Sequence, residues 1–152
     1  MKYSISEIID LAVGIEEAGE DFYQQCSERA DEPASDLFRR LALEEHRHRD
    51  LLRELGKSKQ CRECALDEDY HLYLRSVGSG MVFPDAEAFL NSLKRNFDTV
   101  KAVDYAIQTE KNSLLLYLEL HSNLSAADDA AIIRRIIEEE RKHIQLLSTL
   151  VV

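Results

Sequence analysis

The sequence predicts an all-α four-helix bundle with a long crossover between its second and third helices, on three observations. Four long segments repeat apolar residues in alternating steps of four and three, helix start and stop signals bracket them, and one connection is far longer than the other two. The principal helices are expected near 4–30, 33–56, 99–122 and 126–151.

The first helix opens on Ser4 with Glu7 three residues on, the spacing of a capping box, and its seam runs through Ile5, Ile9, Ala12, Glu16, Gly19, Tyr23 and Cys26. Pro33 suits the first turn of the second helix and Gly56 its end, with the seam Phe38, Leu41, Glu45, His48, Leu52 and Leu55 between them. The long connector, 57–98, holds Cys61-Arg-Glu-Cys64, a Gly78-Ser79-Gly80 turn and a short helical piece after Pro84. The third helix, ending at Asn123, carries Val103, Ile107, Glu110, Leu114 and Tyr117. Ser125 and Asp128 repeat the cap pattern for the fourth, whose seam is Ile133, Ile136, Glu140, His143, Leu147 and Leu150. Short turns near 31 and 124 force antiparallel pairs, whereas the long connector lets the third helix run parallel to the second. That is ferritin-like connectivity.

One domain spanning 1–152 is expected, since single domains commonly run to roughly 100–200 residues. An apolar share of 45% and a charged share of 32%, with five Gly and two Pro, exclude a low-complexity or disordered chain. A formal charge of −10 argues against nucleic acid and anionic membrane surfaces as partners and favours cations. The N-terminal segment has no basic flank or apolar h-region, and no stretch approaches the roughly 18 apolar residues of a membrane span. A cytoplasmic location is expected, and with it reduced thiols at Cys26, Cys61 and Cys64.

The chemistry lies in what interrupts the seams. Each of the four carries a glutamate at mid-helix, and the second and fourth carry Glu-x-x-His, as Glu45 with His48 and Glu140 with His143. FRRLALEEHRH at 38–48 and IRRIIEEERKH at 133–143 match in register, and the spacing from Glu16 to Glu45 equals that from Glu110 to Glu140 to within one residue. The chain therefore reads as a duplicated helical hairpin. A single Glu-x-x-His is weak evidence, because it arises by chance in acidic helices. Four carboxylates and two imidazoles in four seams, with no Lys or Arg among those seam positions, leave a deficit of positive charge that two divalent metals would fill. A mixed Glu/His set without thiolate suits iron or manganese, with zinc able to substitute, better than a zinc finger or a calcium loop.

This constellation resembles the ferritin-like di-iron carboxylate superfamily, and IEEAGEDFY with FRRLALEEHRH resembles the rubrerythrins within it. The resemblance implies that Glu45 and Glu140 bridge the metals while Glu16, Glu110, His48 and His143 are terminal ligands. It implies reduction of hydrogen peroxide or dioxygen at a pair of iron ions, and a homodimer in which helices can be exchanged. Rubrerythrins proper also carry a rubredoxin domain with two Cys-x-x-Cys pairs, and this chain has one, so an external electron donor such as a rubredoxin-type protein is expected. Ser113 stands where rubrerythrins tend to have a further carboxylate, one turn after the third-helix Glu. Iron binding or ferroxidation for iron handling is the alternative activity, and a non-catalytic helical dimerisation module the second alternative.

Other residues are expected to do less. Tyr23 and Tyr117 lie on the seams, where a buried hydroxyl satisfies a neighbouring carboxylate. Glu20, one turn after Glu16, is at the edge of the site or on the surface. Glu44, Glu138 and Glu139 flank the seams, and His46 and Arg47 point away from them, as a solvated face with salt links. Cys61 and Cys64 are free thiols, a redox pair or half of a shared site, and His71 and His121 have no partner pattern.

Overall fold

The computed structural model describes residues 3–57, 65–66, 69, 72–73 and 86–151. Four long helices dominate: α1 (Ile5–Arg29), α2 (Ala34–Gly56), α4 (Thr99–Asn123) and α5 (Ala127–Ser148), with a short α3 (Ala86–Ser92) before α4. A two-stranded antiparallel ladder, which the sequence did not suggest, pairs β1 (Tyr3–Ser4) with β2 (Ala65–Leu66) and ties the start of α1 to the connector. The Cys61-Arg-Glu-Cys64 motif, His71, the Gly78–Gly80 turn and Pro84 lie outside the described residues, as does the side chain of Ser4.

Helix directions follow from which residues meet. Glu17 pairs with Arg53 and Glu20 with Arg49, so α1 and α2 are antiparallel across their short turn. Tyr23 meets Glu110 and Tyr117 meets Glu16, which makes α1 and α4 antiparallel neighbours as well. Glu44 meets His143 and His48 meets Glu139, and the same holds for α2 and α5. Hence α2 and α4, joined by the long connector, run parallel. This is the ferritin-like bundle.

The caps differ from the sequence expectation. Pro33 occupies the cap position of α2, one residue outside the helix, and Glu32 supplies an oxygen to the Asp36 N–H at 3.0 Å. At α5 the cap position falls on Ala126, not Ser125, and Asp128 and Asp129 sit in the first turn, where they complement the helix dipole. That helix ends at Ser148, so Leu150 lies in the turn beyond it, half-buried. Asp98, which the sequence reading passed over, caps α4 by accepting the Lys101 N–H at 3.1 Å.

The seams of α1 and α2 are buried throughout. In α4 the expectation is corrected: Ile107 and Leu114 are half-buried, and Ala106, Thr109 and Ser113 take the interior positions beside Glu110. Small side chains there let α4 approach the polar interior. Helix α3 closes one end, where Leu90 and Leu93 are buried, Phe89 stacks on Tyr105 at 4.3 Å, and Arg29 donates to the Leu90 carbonyl at 3.0 Å.

Because the Asp98 cap satisfies a helix donor that water would otherwise have to reach, Asp98→Ala is expected to lower unfolding stability by about 1 kcal/mol. Urea denaturation measures this, and an unchanged midpoint would show the cap to be dispensable.

Candidate metal centre

The bundle core is two apolar clusters with a polar layer between them. One cluster gathers Ile5, Ile8, Ile9, Leu52, Leu55, Leu116, Leu120, Ile133 and Ile136; the other gathers Phe22, Phe38, Leu41, Leu90, Val103 and Leu147. Between them lie Glu16, Glu45, His48, Glu110, Glu140 and His143, each at most 4% exposed. The six residues singled out in the seams are thus brought together, at one level, from four helices.

They form two overlapping groups whose ligand-type atoms lie within 4.8 Å of one another: Glu16, Glu45, His48 and Glu140 in one, Glu45, Glu110, Glu140 and His143 in the other. Glu45 and Glu140 belong to both. His48 Nδ1 faces Glu140 Oε1 at 3.2 Å, Glu16 Oε2 at 3.7 Å and Glu45 Oε2 at 3.8 Å. His143 Nδ1 faces Glu140 Oε2 at 3.1 Å, Glu45 Oε1 at 3.2 Å and Glu110 Oε1 at 3.3 Å. The two rings lie nearly parallel, 5.6 Å apart.

Both tyrosines are fully buried, and each crosses from one hairpin to the other: Tyr23 donates to Glu110 Oε1 and Tyr117 to Glu16 Oε1. They anchor one oxygen of each carboxylate: at Glu16 the other oxygen, Oε2, faces the centre, whereas at Glu110 the anchored Oε1 is itself the oxygen that faces His143 Nδ1. Burial and these neighbouring carboxylates push both phenols well above their usual pKa, so they stay protonated donors.

The outer side of the layer corrects the sequence reading. Glu44 and Glu139 are not merely part of a solvated face: His143 Nε2 donates to Glu44 and His48 Nε2 to Glu139, each at 2.6 Å. Arg47, expected to point away, donates to Glu139 at 2.7 Å, and Arg135 adds a contact at 3.3 Å. Each imidazole therefore gives its Nε2 proton to a carboxylate of the opposite hairpin and turns Nδ1 inward. The signal was in the repeat, which sets a second glutamate before each Glu-x-x-His, but the register between helices was needed to see its target.

The remaining residues lie outside the polar layer. Glu138 is exposed, and Glu20 is held on the outer α1/α2 face by Arg49 at 3.1 Å and His46 at 2.9 Å. Ser113 is buried and donates to the Thr109 carbonyl. Cys26 is a buried thiol pushed up to about 12 by burial, which makes it inert.

The layer fits metal. Glu16 Oε2, both oxygens of Glu140, and Nδ1 of His48 and of His143 are buried with no hydrogen-bond partner, and all point to the centre. No Lys or Arg is buried among the described residues. Buried polar atoms in native proteins are almost always satisfied, and an imidazole nitrogen among carboxylate oxygens is a donor set for divalent transition metals. Two cations, one per group, would satisfy all five atoms, with Glu45 and Glu140 placed to be shared.

A family model for rubrerythrin matches residues 7–78, which takes in α1, α2 and the first part of the connector. The whole fold is similar to that of a Thermotoga maritima protein whose crystal structure is described as that of a ferritin-like diiron-carboxylate protein. The TM-score is 0.78 at 27% identity, over 99% of this chain and 95% of that one. No curated protein matches the sequence. With four helices in this order around a buried Glu/His layer, the chain has a ferritin-like fold and is similar to the ferritin-like di-iron carboxylate proteins. Within that class its first hairpin is similar to rubrerythrin. No helix among the described residues is long and apolar enough to cross a membrane.

Without bound cations the layer must hold protons instead. Burial, with the charges of Glu110 and Glu16, raises Glu140 to about 8, and burial and Glu45 raise Glu16 well above the carboxylate range. Although burial opposes it, the carboxylates facing Nδ1 also raise both histidines above their ordinary 6.5. The folded protein thus keeps protons that the unfolded chain releases above about pH 4.5 for the carboxylates and 6.5 for the imidazoles, and stability falls as pH rises through that window. Glu110 and Glu139, both held near 2 against the opposing effect of burial, add stability that is lost only as pH drops below 4.5. In chelator, the thermal midpoint is expected to fall steadily from pH 5.5 to 8, and a rise over that range would contradict this charge assignment.

Proposed function

We propose that the chain is a non-haem di-iron oxidoreductase that reduces hydrogen peroxide or dioxygen with electrons from an external donor, in protection against oxidative stress. The observation that carries the reading is the convergence of five buried donor atoms without hydrogen-bond partners on one centre, with no buried Lys or Arg among the described residues. A bound iron pair supplies redox steps and Lewis acidity toward oxygen.

The side chains set the terms of that chemistry. Glu45 and Glu140, which belong to both groups, would be shared between the two cations, while Glu16 with His48 and Glu110 with His143 would hold one each. Carboxylates tolerate a change of charge at the centre because each can bind through one oxygen or two. Tyr23 and Tyr117 limit that freedom at the ends by holding one oxygen of Glu110 and of Glu16. The apolar clusters on either side of the layer keep its surroundings of low polarity. Reducing one peroxide to two waters takes two electrons and two protons, so the donor must return two electrons per turnover. The same donor set would serve iron handling with Fe(II) as substrate. Sustained turnover with a reductant, as opposed to one-time uptake, supports the oxidoreductase.

Anaerobic Fe(II) titration of the metal-free protein is expected to saturate at two irons per chain, with peroxide then consumed catalytically when a reduced rubredoxin-type donor is present. Glu45→Ala, which removes a bridge, is expected to abolish paired binding, while the exposed Glu17→Ala leaves it intact. Saturation at one iron or none would refute the dinuclear site, and uptake without turnover would move the assignment to iron handling.

A further inference from the structure

The two halves of the centre are related by the repeat, yet their outer carboxylates are not equivalent. Glu139 accepts from His48 Nε2 at 2.6 Å and also from Arg47 at 2.7 Å and Arg135 at 3.3 Å. Glu44 accepts from His143 Nε2 at 2.6 Å, and among the described residues no Lys or Arg comes within ion-pair distance of it. The cause is in the sequence. Where the first copy of the repeat has Arg47, the second has Lys142, an exposed point charge without the planar fork that lets arginine reach across. Arg40, the counterpart of Arg135, is exposed and makes no such contact.

A carboxylate that takes the Nε2 proton of a histidine strengthens the lone pair at Nδ1. Glu44, 34% exposed at its side chain, accepts from His143 with no guanidinium competing, whereas Glu139 is shared among His48 and two guanidiniums. Solvent screens the long-range field of Arg47 and Arg135, whose side chains are 41% and 61% exposed, but it does not undo their direct bonds to Glu139. The inner geometry runs the same way. Three carboxylate oxygens lie 3.1–3.3 Å from His143 Nδ1, and the corresponding three spread from 3.2 to 3.8 Å around His48 Nδ1. That half is both more negative and more closely gathered.

We infer that the two metal positions fill in order: the first cation enters the group of Glu45, Glu110, Glu140 and His143, and the second the group of Glu16, Glu45, Glu140 and His48. This rests on the dinuclear reading above and adds to it a built-in inequality between the halves, with Glu44 and Arg47 as the positioning residues that create it.

Calorimetric titration of the metal-free protein with Co(II) under anaerobic conditions, followed in parallel by visible absorption, tests the order. Two steps separated by about tenfold or more in affinity are expected, since outer partners of this kind change metal affinity by about 10–100-fold. Glu16→Gln should keep the tight step and lose the weak one, and Glu110→Gln should do the reverse. Arg47→Gln, a half-exposed change that leaves the core untouched, should tighten the second step alone, and Glu44→Gln should weaken the first. Two ions bound with equal affinity, or loss of the tight step in Glu16→Gln, would overturn the order while leaving the dinuclear site standing. Saturation below two ions would overturn both.

Discussion

Four buried carboxylates, with no buried Lys or Arg among the described residues, are the constraint on which the rest of the structure depends. Taking one ionised carboxylate out of water without a partner costs several kcal/mol, so a layer of four is untenable unless something supplies positive charge. The two imidazoles supply part of it, protons part in the absence of metal, and two divalent cations would supply the whole. The surroundings are consistent with that demand. Apolar clusters flank the layer, and each tyrosine hydroxyl donates to one of its carboxylates, Tyr23 to Glu110 and Tyr117 to Glu16.

Duplication explains how so many groups meet at one level. Each hairpin brings one mid-helix glutamate and one Glu-x-x-His, and neither hairpin supplies the acceptor for its own histidine Nε2. His48 of the first is held by Glu139 of the second, and His143 of the second by Glu44 of the first. The tyrosines repeat the exchange, Tyr23 to Glu110 and Tyr117 to Glu16. Contacts that hold the donor atoms in place therefore also help dock the hairpins, alongside the two apolar clusters. The likeness in fold to a ferritin-like diiron-carboxylate protein covers nearly the whole of both chains, not the first hairpin alone.

Much of this was legible in the sequence because a helix presents residues three and four apart on one face. The alternating steps through Phe38, Leu41, Glu45, His48 and Leu52 separate Glu45 from Glu44 and His48 from His46, and the buried positions of α2 are those. What stayed hidden depends on other helices. The partners of Glu44 and Glu139 lie on the far hairpin, and no periodicity within one helix reports the register between two. Along α4, bulk misled the reading: Ile107 and Leu114 are the larger apolar side chains, but the narrow interior beside Glu110 takes Ala106 and Ser113 instead. The cap at Ala126 and the strand pair at β1 and β2 turn on one or two residues of backbone geometry, which composition does not encode.

The most direct test of the central claim is a crystal structure of the protein loaded with Fe(II), with anomalous scattering recorded at the iron edge. Two peaks about 3.5–4 Å apart are expected, one on His48 Nδ1 and the other on His143 Nδ1, with Glu45 and Glu140 between them and both Nε2 atoms still bonded to Glu139 and Glu44. A single peak, or iron bound elsewhere while the layer keeps its protons, would contradict it.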